Sequence, residues 1–428
     1  MKIIVFFTLL CAMAALHAAD APRSLTLQEA QQIALTQHPR ISVANLTRLA
    51  ARQATKEVQA GFFPNIYGSA TAVGNTDPNN TRIAAGGLNN PRVYDREADG
   101  VTISQLITDF GRTSELSRSA KLRARSEEMN LEATREQILL EVNNAYFSSL
   151  AAQSVVAVAQ ETVKSRQFVQ QQTQLMTTNK LKSELDLSFA NVDLDQATIL
   201  LTKAKSDLKA SFAVLSTLLA EREPRTFVLA EVPMPANITV DVSALIQEAL
   251  AQRPDLARLR YQRDSAKEFA RAQSKLLYPT VSALGTAGVI PTGQSQLGPD
   301  WVAAGVNVNV PIYTGGLYTA RRREAEFQAK AADEELRDEE DNVIRDVQIT
   351  KLNLEYAYDR LALTEQLLRN ANEALQLAQA RFKNGLSSII ELSQAELNQT
   401  SAQIAETTAR YDYAIQHSAL EFQLGRLR

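Results

Sequence analysis

Cysteine, tryptophan and histidine are nearly missing from this chain of 428 residues, which holds one Cys, one Trp and three His. Cys11 lies in an N-terminal apolar stretch, so once that stretch is removed neither disulfides nor thiol chemistry are available. His38 and His417 stand isolated and no HExxH or P-loop pattern occurs, so nothing asks for a metal or a cofactor. Asp109-Phe110-Gly111 matches a kinase triplet, but no VAIK or HRD accompanies it. An enzyme reading therefore finds no residues to rest on. Strong charge of either sign is missing as well: the formal net is −3, or −4 without Lys2, which argues against nucleic acid as a partner. The acidic run Asp333 to Asp341 reads as a solvated helix face.

Long apolar runs are scarce. The N-terminus, MKIIVFFTLLCAMAALHAAD, carries one Lys, an apolar core and small residues at Ala18 and Ala19, the layout of a secretory signal peptide over residues 1–18. Leu10 stands before Cys11 where lipoprotein processing needs a small residue. No other stretch approaches the roughly 20 apolar residues of a membrane helix, so any membrane passage after export must be made of strands.

Glycine and proline are missing where helices would need their absence. Neither occurs between Arg112 and Glu223 or between Leu317 and Asn384, and 14 of the 16 glycines fall in the windows 61–111 and 285–316. Uninterrupted helices leave such gaps, and one from about Thr113 to Thr178 would be on the order of 100 Å long. Leu354, Leu361, Leu368, Leu375 and Phe382 recur every seven residues, with Ala357, Thr364, Ala371 and Ala378 three places behind most of them. Ala145, Ala152 and Ala159 repeat the spacing, with Val142, Val156 and Val163 at companion positions. A seven-residue repeat keeps one seam toward a partner helix, and small residues permit close approach.

The chain repeats itself. Ala34, Leu35, Gln37, Pro39 and Pro64 recur 215 residues later, as Ala249, Leu250, Gln252, Pro254 and Pro279. Beyond the glycine windows the offset is 205, so Gly111 matches Gly316, Asn179 matches Asn384, and Asp186-Leu187-Ser188 matches Glu391-Leu392-Ser393. Residues 19–223 and 242–428 thus read as two structural repeats joined by a linker, 224–241. Each predicts a helix, a strand pair and a helical hairpin, with strands at about 65–74 and 100–108, then 280–289 and 302–312. In GVNVNVPIYTGG the valines at 306, 308 and 310 alternate with Asn307 and Asn309, the period of a half-buried strand. About 9 to 11 residues suffice for a tilted strand to cross a bilayer, and Phe62, Phe63, Phe110, Tyr278 and Tyr313 sit where an interfacial aromatic girdle belongs. Four strands cannot close, and open edges in lipid cost several kcal/mol per unpaired group, so identical copies must complete the wall. Two copies would give eight strands with an interior filled by side chains and three would give twelve with room for a lumen, so three suits a channel better. A soluble periplasmic coiled-coil scaffold or spacer explains the heptads equally well, but not the strand pairs.

With SQLITDFGR at 104–112, VPIYTGG at 310–316, ARFKNGLSSIIELSQAEL at 380–397 and LTLQEAQQIALTQHP at 25–39, the mature chain resembles the TolC family of outer-membrane efflux and secretion channels. The resemblance implies a mainly α fold with a small β part: a duplicated four-strand contribution to a trimeric transmembrane β-barrel in the outer membrane, above a long periplasmic α-helical barrel. It implies a homotrimer set in outer-membrane lipid, a periplasmic adaptor (membrane fusion protein), and an inner-membrane pump of RND, ABC or MFS type. It also implies a gate where the hairpin tips meet, at Asp186 and Glu391, with Gln394 where a second acid can stand. Ser183/Asp186 and Ser388/Glu391 equally read as capping boxes at helix starts, and both roles stay open. Ser387 occupies the place of a basic latch residue, and Lys180 the place of a glycine, leaving Asn179 to make the left-handed turn. The tips Asn179, Lys180, Leu181 and Ser183, and Asn384, Gly385, Leu386, Ser387 and Ser388, are candidates for adaptor docking.

Overall fold

The computed structural model describes residues 23–73, 96–223, 225–292 and 299–427. The expected signal peptide and the loop between the first two strands lie outside these described residues. The order is β1 (Arg23–Leu25), α1 (Leu27–Gln37), α2 (Pro39–Ala60), β2 (Asn65–Val73), β3 (Arg96–Thr108), α3 (Arg112–Thr178), α4 (Glu184–Leu218), β4 (Phe227–Leu229), α5 (Val242–Gln252), α6 (Pro254–Ser274), β5 (Thr280–Thr292), β6 (Asp300–Asn309), α7 (Leu317–Lys383) and α8 (Ile389–Gln423). A short 3₁₀ turn, Lys275–Leu277, joins α6 to β5.

The helix boundaries follow from local chemistry. Thr26 and Glu29 form a capping box at the start of α1. His38 and Arg253 each precede a proline and are therefore extended, at ψ 126° and 125°. Pro39 and Pro254, with no N–H to donate, then open the next helix. The helices α3 and α7, 67 residues each, start at left-handed glycines, Gly111 and Gly316. Three other residues with positive φ, Phe110, Lys180 and Ala220, correspond at the 205 offset to Gly315, Gly385 and Gly425, which also have positive φ. The two copies thus keep one backbone path although the first has no glycine at these three places. Each replacement costs about 1–2 kcal/mol of left-handed strain.

Seven-residue seams bury the long helices. In α3 the positions Ser117, Ala124, Leu131, Ile138, Ala145, Ala159, Arg166 and Thr173 are buried, with Ala152 half-buried. In α7 the matching series is Ala329, Leu336, Val343, Thr350, Ala357, Thr364, Ala371 and Ala378, all buried. Ala190, Ala197 and Ala204 of α4 and Ala395, Ala402 and Ala409 of α8 keep the same spacing. Where α3 passes α6, the hydroxyls of Ser119 and Ser265 each donate to the other residue's carbonyl at 2.9 Å. Halfway along, β1 and β4 pair in parallel beside α3, a ladder that sequence reasoning did not foresee. The buried Tyr146 hydroxyl lies 2.9 and 2.8 Å from the carbonyls of Leu25 and Ala230, and burial first of all pushes its pKa up to about 12.

The second sheet is antiparallel, in the order β2-β3-β5-β6. Helices α2, α3, α6 and α7 pack side by side in the same order beneath it. Among the described residues the outer edges of β2 and β6 have no partner strand. The strand β6 ends at Asn309 rather than at the expected 312, because Pro311 has no N–H for a ladder. Registered neighbours place most apolar and most polar side chains on opposite faces, with Gln105 on the apolar face and Tyr67, Leu106 and Leu284 on the polar one. Val281 and Val308, Ala283 and Val306, and Ile66, Ile103, Gly285 and Ala304 share one face, whereas Thr280 and Asn309, Ser282 and Asn307, and Thr102, Thr286 and Ala303 share the other. Near the far end, the Trp301 ring lies over Gly100, where a Cβ would approach it to 2.8 Å.

The neighbours Ala303 and Ala304 test this assignment of faces with equal side chains. In lipid vesicles Ala304→Arg should destabilise the sheet by roughly 2–4 kcal/mol, and Ala303→Arg by less than about 1 kcal/mol. Urea unfolding that returns equal penalties would refute it.

Candidate channel entrance at the hairpin tips

The first hairpin turns at Asn179, which closes α3 with φ −86°. Lys180 itself takes the left-handed position, at φ 58°, which corrects the expectation that Asn179 would do so. The Asn179 side chain instead donates to Leu175 O, and the Leu181 amide donates to Met176 O at 2.8 Å, closing the helix end as a Schellman turn does. The second tip repeats this with Asn384, Gly385 at φ 71°, and Leu386, whose amide donates to Arg381 O at 2.8 Å. Leu181 and Leu386 project with 74% and 70% exposure.

The two acids behave differently. Ser183 and Asp186 form a full capping box: the Ser183 amide and hydroxyl donate to Asp186 Oδ2 at 3.1 and 2.8 Å, and the Asp186 amide donates to Ser183 Oγ. At the second tip only half of the box forms. The Glu391 amide donates to Ser388 Oγ, while its carboxylate pairs with Arg381 at 3.0 Å. A basic partner is thus present six residues before Ser387, on the same hairpin, and Ser387 Oγ itself is buried without a hydrogen-bond partner. Gln394 is exposed and donates to Asn398 at 2.9 Å. Among the described residues no hydrogen bond or ion pair joins Asp186 to Glu391. The tips meet elsewhere, where the Lys182 ammonium stands 4.4 Å from the centroid of the Phe382 ring.

About 13 residues above the first tip, a charged pair joins the hairpins. Arg166, in the seam of α3, pairs with Glu396 of α8, and both side chains are over nine-tenths buried. Burial lowers the Arg166 pKa, opposed by Asp193 across a cavity of about 290 Å³ between α3, α4 and α8. Sequence reasoning stopped at Ala159 and missed it. One heptad further the same series reaches Arg166, whose counterpart in the second copy is Ala371.

Two copies of a family model described as outer membrane efflux protein match this chain, over residues 30–221 and 245–426. The chain belongs to the outer membrane efflux protein family. The outer membrane protein TolC of Vibrio cholerae serotype O1 is 27% identical over 347 residues, 79% of this chain and 78% of that protein. The alkaline protease secretion protein AprF of Pseudomonas aeruginosa is 22% identical over 419 residues, 94% of this chain and 85% of its own length. The crystal structure of the outer membrane protein VceC from Vibrio cholerae shares the fold, with a TM-score of 0.79 at 18% identity over 93% of this chain and 96% of that one. As a member of this family the protein is an outer-membrane exit duct, with a helical barrel below a β-barrel. Channels of this family typically form trimers and work with adaptors and inner-membrane pumps.

Removing Glu396 leaves Arg166 buried without a counter-ion. Glu396→Ala should lower stability by about 3–5 kcal/mol, and Arg166→Met with Glu396→Leu should recover most of that loss. Thermal unfolding of the solubilised protein checks this, and a double variant no more stable than the single one would contradict it. Lys180→Gly, which relieves the left-handed lysine, should raise stability by about 0.5–1 kcal/mol in the same assay.

Proposed function

We propose that three copies of this chain close into one duct, entered at the hairpin tips and left through the barrel, that carries cargo delivered by an adaptor and an inner-membrane pump of RND, ABC or MFS type. The observation that carries this reading is the four-stranded sheet with one mainly apolar face and two edges unpaired among the described residues. In lipid such edges are tolerable only when other copies pair with them. The polar face, lined by Asn307, Asn309 and the threonines, then turns inward to water. Residues 1–18 serve as the export signal, while 19–223 and 242–428 form the two repeats around the linker 224–241. The duct carries no reaction of its own. Relatives named for protease secretion and for efflux favour both kinds of cargo equally, and the sequence offers no preference between them.

The gate lies at the tips, where three copies each of Asp186 and Glu391 ring the axis and Gln394 lies one helical turn above Glu391. Asp186 both caps α4 and adds charge to the ring, so its two readings are compatible. Glu391 is held by Arg381 and frees the ring for cations only when that pair opens. The tip residues Asn179, Lys180, Leu181 and Ser183, and Asn384 to Ser388, all exposed but for the half-buried Ser387, form the adaptor-docking rim.

In planar bilayers, Asp186→Ala with Glu391→Ala should lower cation selectivity and raise the resting conductance. Arg381→Gln alone, which frees Glu391, should raise cation selectivity. Currents unchanged in both variants would leave Asp186 with its helix cap and Glu391 with its Arg381 pair only.

A further inference from the structure

The overall charge of −3 conceals a steep gradient. Four helix ends meet the sheet, and the two turns nearest to it on each, residues 55–61, 112–118, 271–277 and 317–323, hold eight Lys and Arg against two Glu. Three of the cations are consecutive: Arg321, Arg322 and Arg323, less than two turns into α7. The first turn of that helix has no acid, and its macrodipole is positive there, so the position is electrostatically unfavourable unless an anion comes from outside. Arg322 reaches Glu326 at 3.4 Å, but Arg321 and Arg323 are exposed and have no hydrogen-bond or ion-pair partner among the described residues. Of the two Glu, Glu115 is already claimed by Arg118 and Lys275.

A neighbouring copy offers at most one acid, Glu57, set among further cations. Since α7 and α2 are the outer helices of the row, ring closure sets α7 against α2 of the next copy. From residue 48 to 61, α2 offers Arg48, Arg52 and Lys56 but only Glu57. The membrane level is marked just above the arginines, by Ile312 and Tyr313, which are 93% and 89% exposed directly beyond β6. Two helical turns span about 11 Å, so these cations lie within headgroup distance of the leaflet that faces the helical barrel.

We propose that this basic collar binds the headgroups of anionic phospholipids in that leaflet. The proposal rests on the exit-duct reading, since it needs the sheet to lie in a bilayer. Guanidinium groups suit phosphate through paired N–H donors, and the attraction is electrostatic, so it weakens with salt. Anchoring is the consequence: apolar strand faces fix the depth of the barrel, and the collar selects the lipids that surround its base.

The full-length protein, reconstituted in nanodiscs of equimolar palmitoyl-oleoyl phosphatidylglycerol and phosphatidylcholine, provides the test, with the lipids retained after extraction counted by native mass spectrometry. At low salt the wild type should retain phosphatidylglycerol over phosphatidylcholine by about tenfold, an enrichment that fades at high salt and falls at least about fivefold in R321Q/R323Q. R337Q/R369Q, which removes the same charge further down α7, should keep the wild-type preference. Equal retention of the two lipids by the wild type, a preference indifferent to salt, or an unaltered preference in R321Q/R323Q overturns the collar. So does full competition by inorganic phosphate at matched concentration, which would mark a phosphate site rather than a lipid surface. Wild-type protein that conducts normally in the same lipids without enrichment defeats only this proposal, whereas failure to insert or conduct defeats the exit-duct reading itself.

Discussion

The close approach of helices along a seven-residue seam is the constraint on which the rest of the molecule depends. A straight α-helix has 3.6 residues per turn, so a strict repeat of seven keeps its stripe facing one partner only if the helices supercoil left-handedly. Here the stripe is built largely of Ala, Ser and Thr, which removes side-chain bulk from the contact and lets backbones pack closely over most of 67 residues. Little large apolar area is buried along such a seam, so length replaces thickness. The exposed faces that remain, with Phe327, Leu352, Tyr356 and Leu363 outward on α7, are those an isolated chain would not leave in water. A wall one helix thick is stable only as part of a closed ring, and the sheet above it obeys the same rule for its backbone groups.

Much of this was readable in the residues because duplication prints each feature twice. Long gaps in glycine and proline marked α3 and α7, period-two alternation marked the strands, and serines three places before acids marked the starts of α4 and α8. What escaped had a physical reason in each case. The parallel pairing of β1 with β4 joins three-residue segments about 200 residues apart, too short to carry a period. Lys180 adopts a backbone geometry that its side chain disfavours, because the hairpin of the second copy, with Gly385, shows that the path itself is what the fold requires. Propensity assigned the turn to Asn179, and tertiary geometry overrode it. Glu391 left its expected cap for Arg381, since a guanidinium three turns of sequence away but adjacent in space is a stronger partner than a backbone amide already close to water.

Charge shows the same division between what composition displays and what placement creates. A net of −3 is unremarkable as a total, yet cations gather where helices meet strands and acids are in excess along the long helices between there and the tips. Most exposed pairs on these helices contribute little to stability by themselves, so what the distribution does depends on where the charges lie and not on single pairs.

Arg166 and Glu396 stand apart from both patterns, and their placement bears on specificity rather than strength. A seam of alanines spaced every seven residues is nearly indifferent to a slide by one heptad, because each small residue meets another. With Arg166 in the series that indifference ends. A slide of α8 by seven residues in either direction would set Ile389 or Gln403 where Glu396 now stands, and a buried guanidinium opposite either would lose its counter-ion at a cost of about 3–5 kcal/mol. The second copy has Ala371 at the matching place and Asn191 stands in the first copy where Glu396 stands in the second, so the pair exists once per chain and not twice. It therefore distinguishes the two hairpins that duplication made alike, fixing the register of one on the other where the seam alone would leave it free.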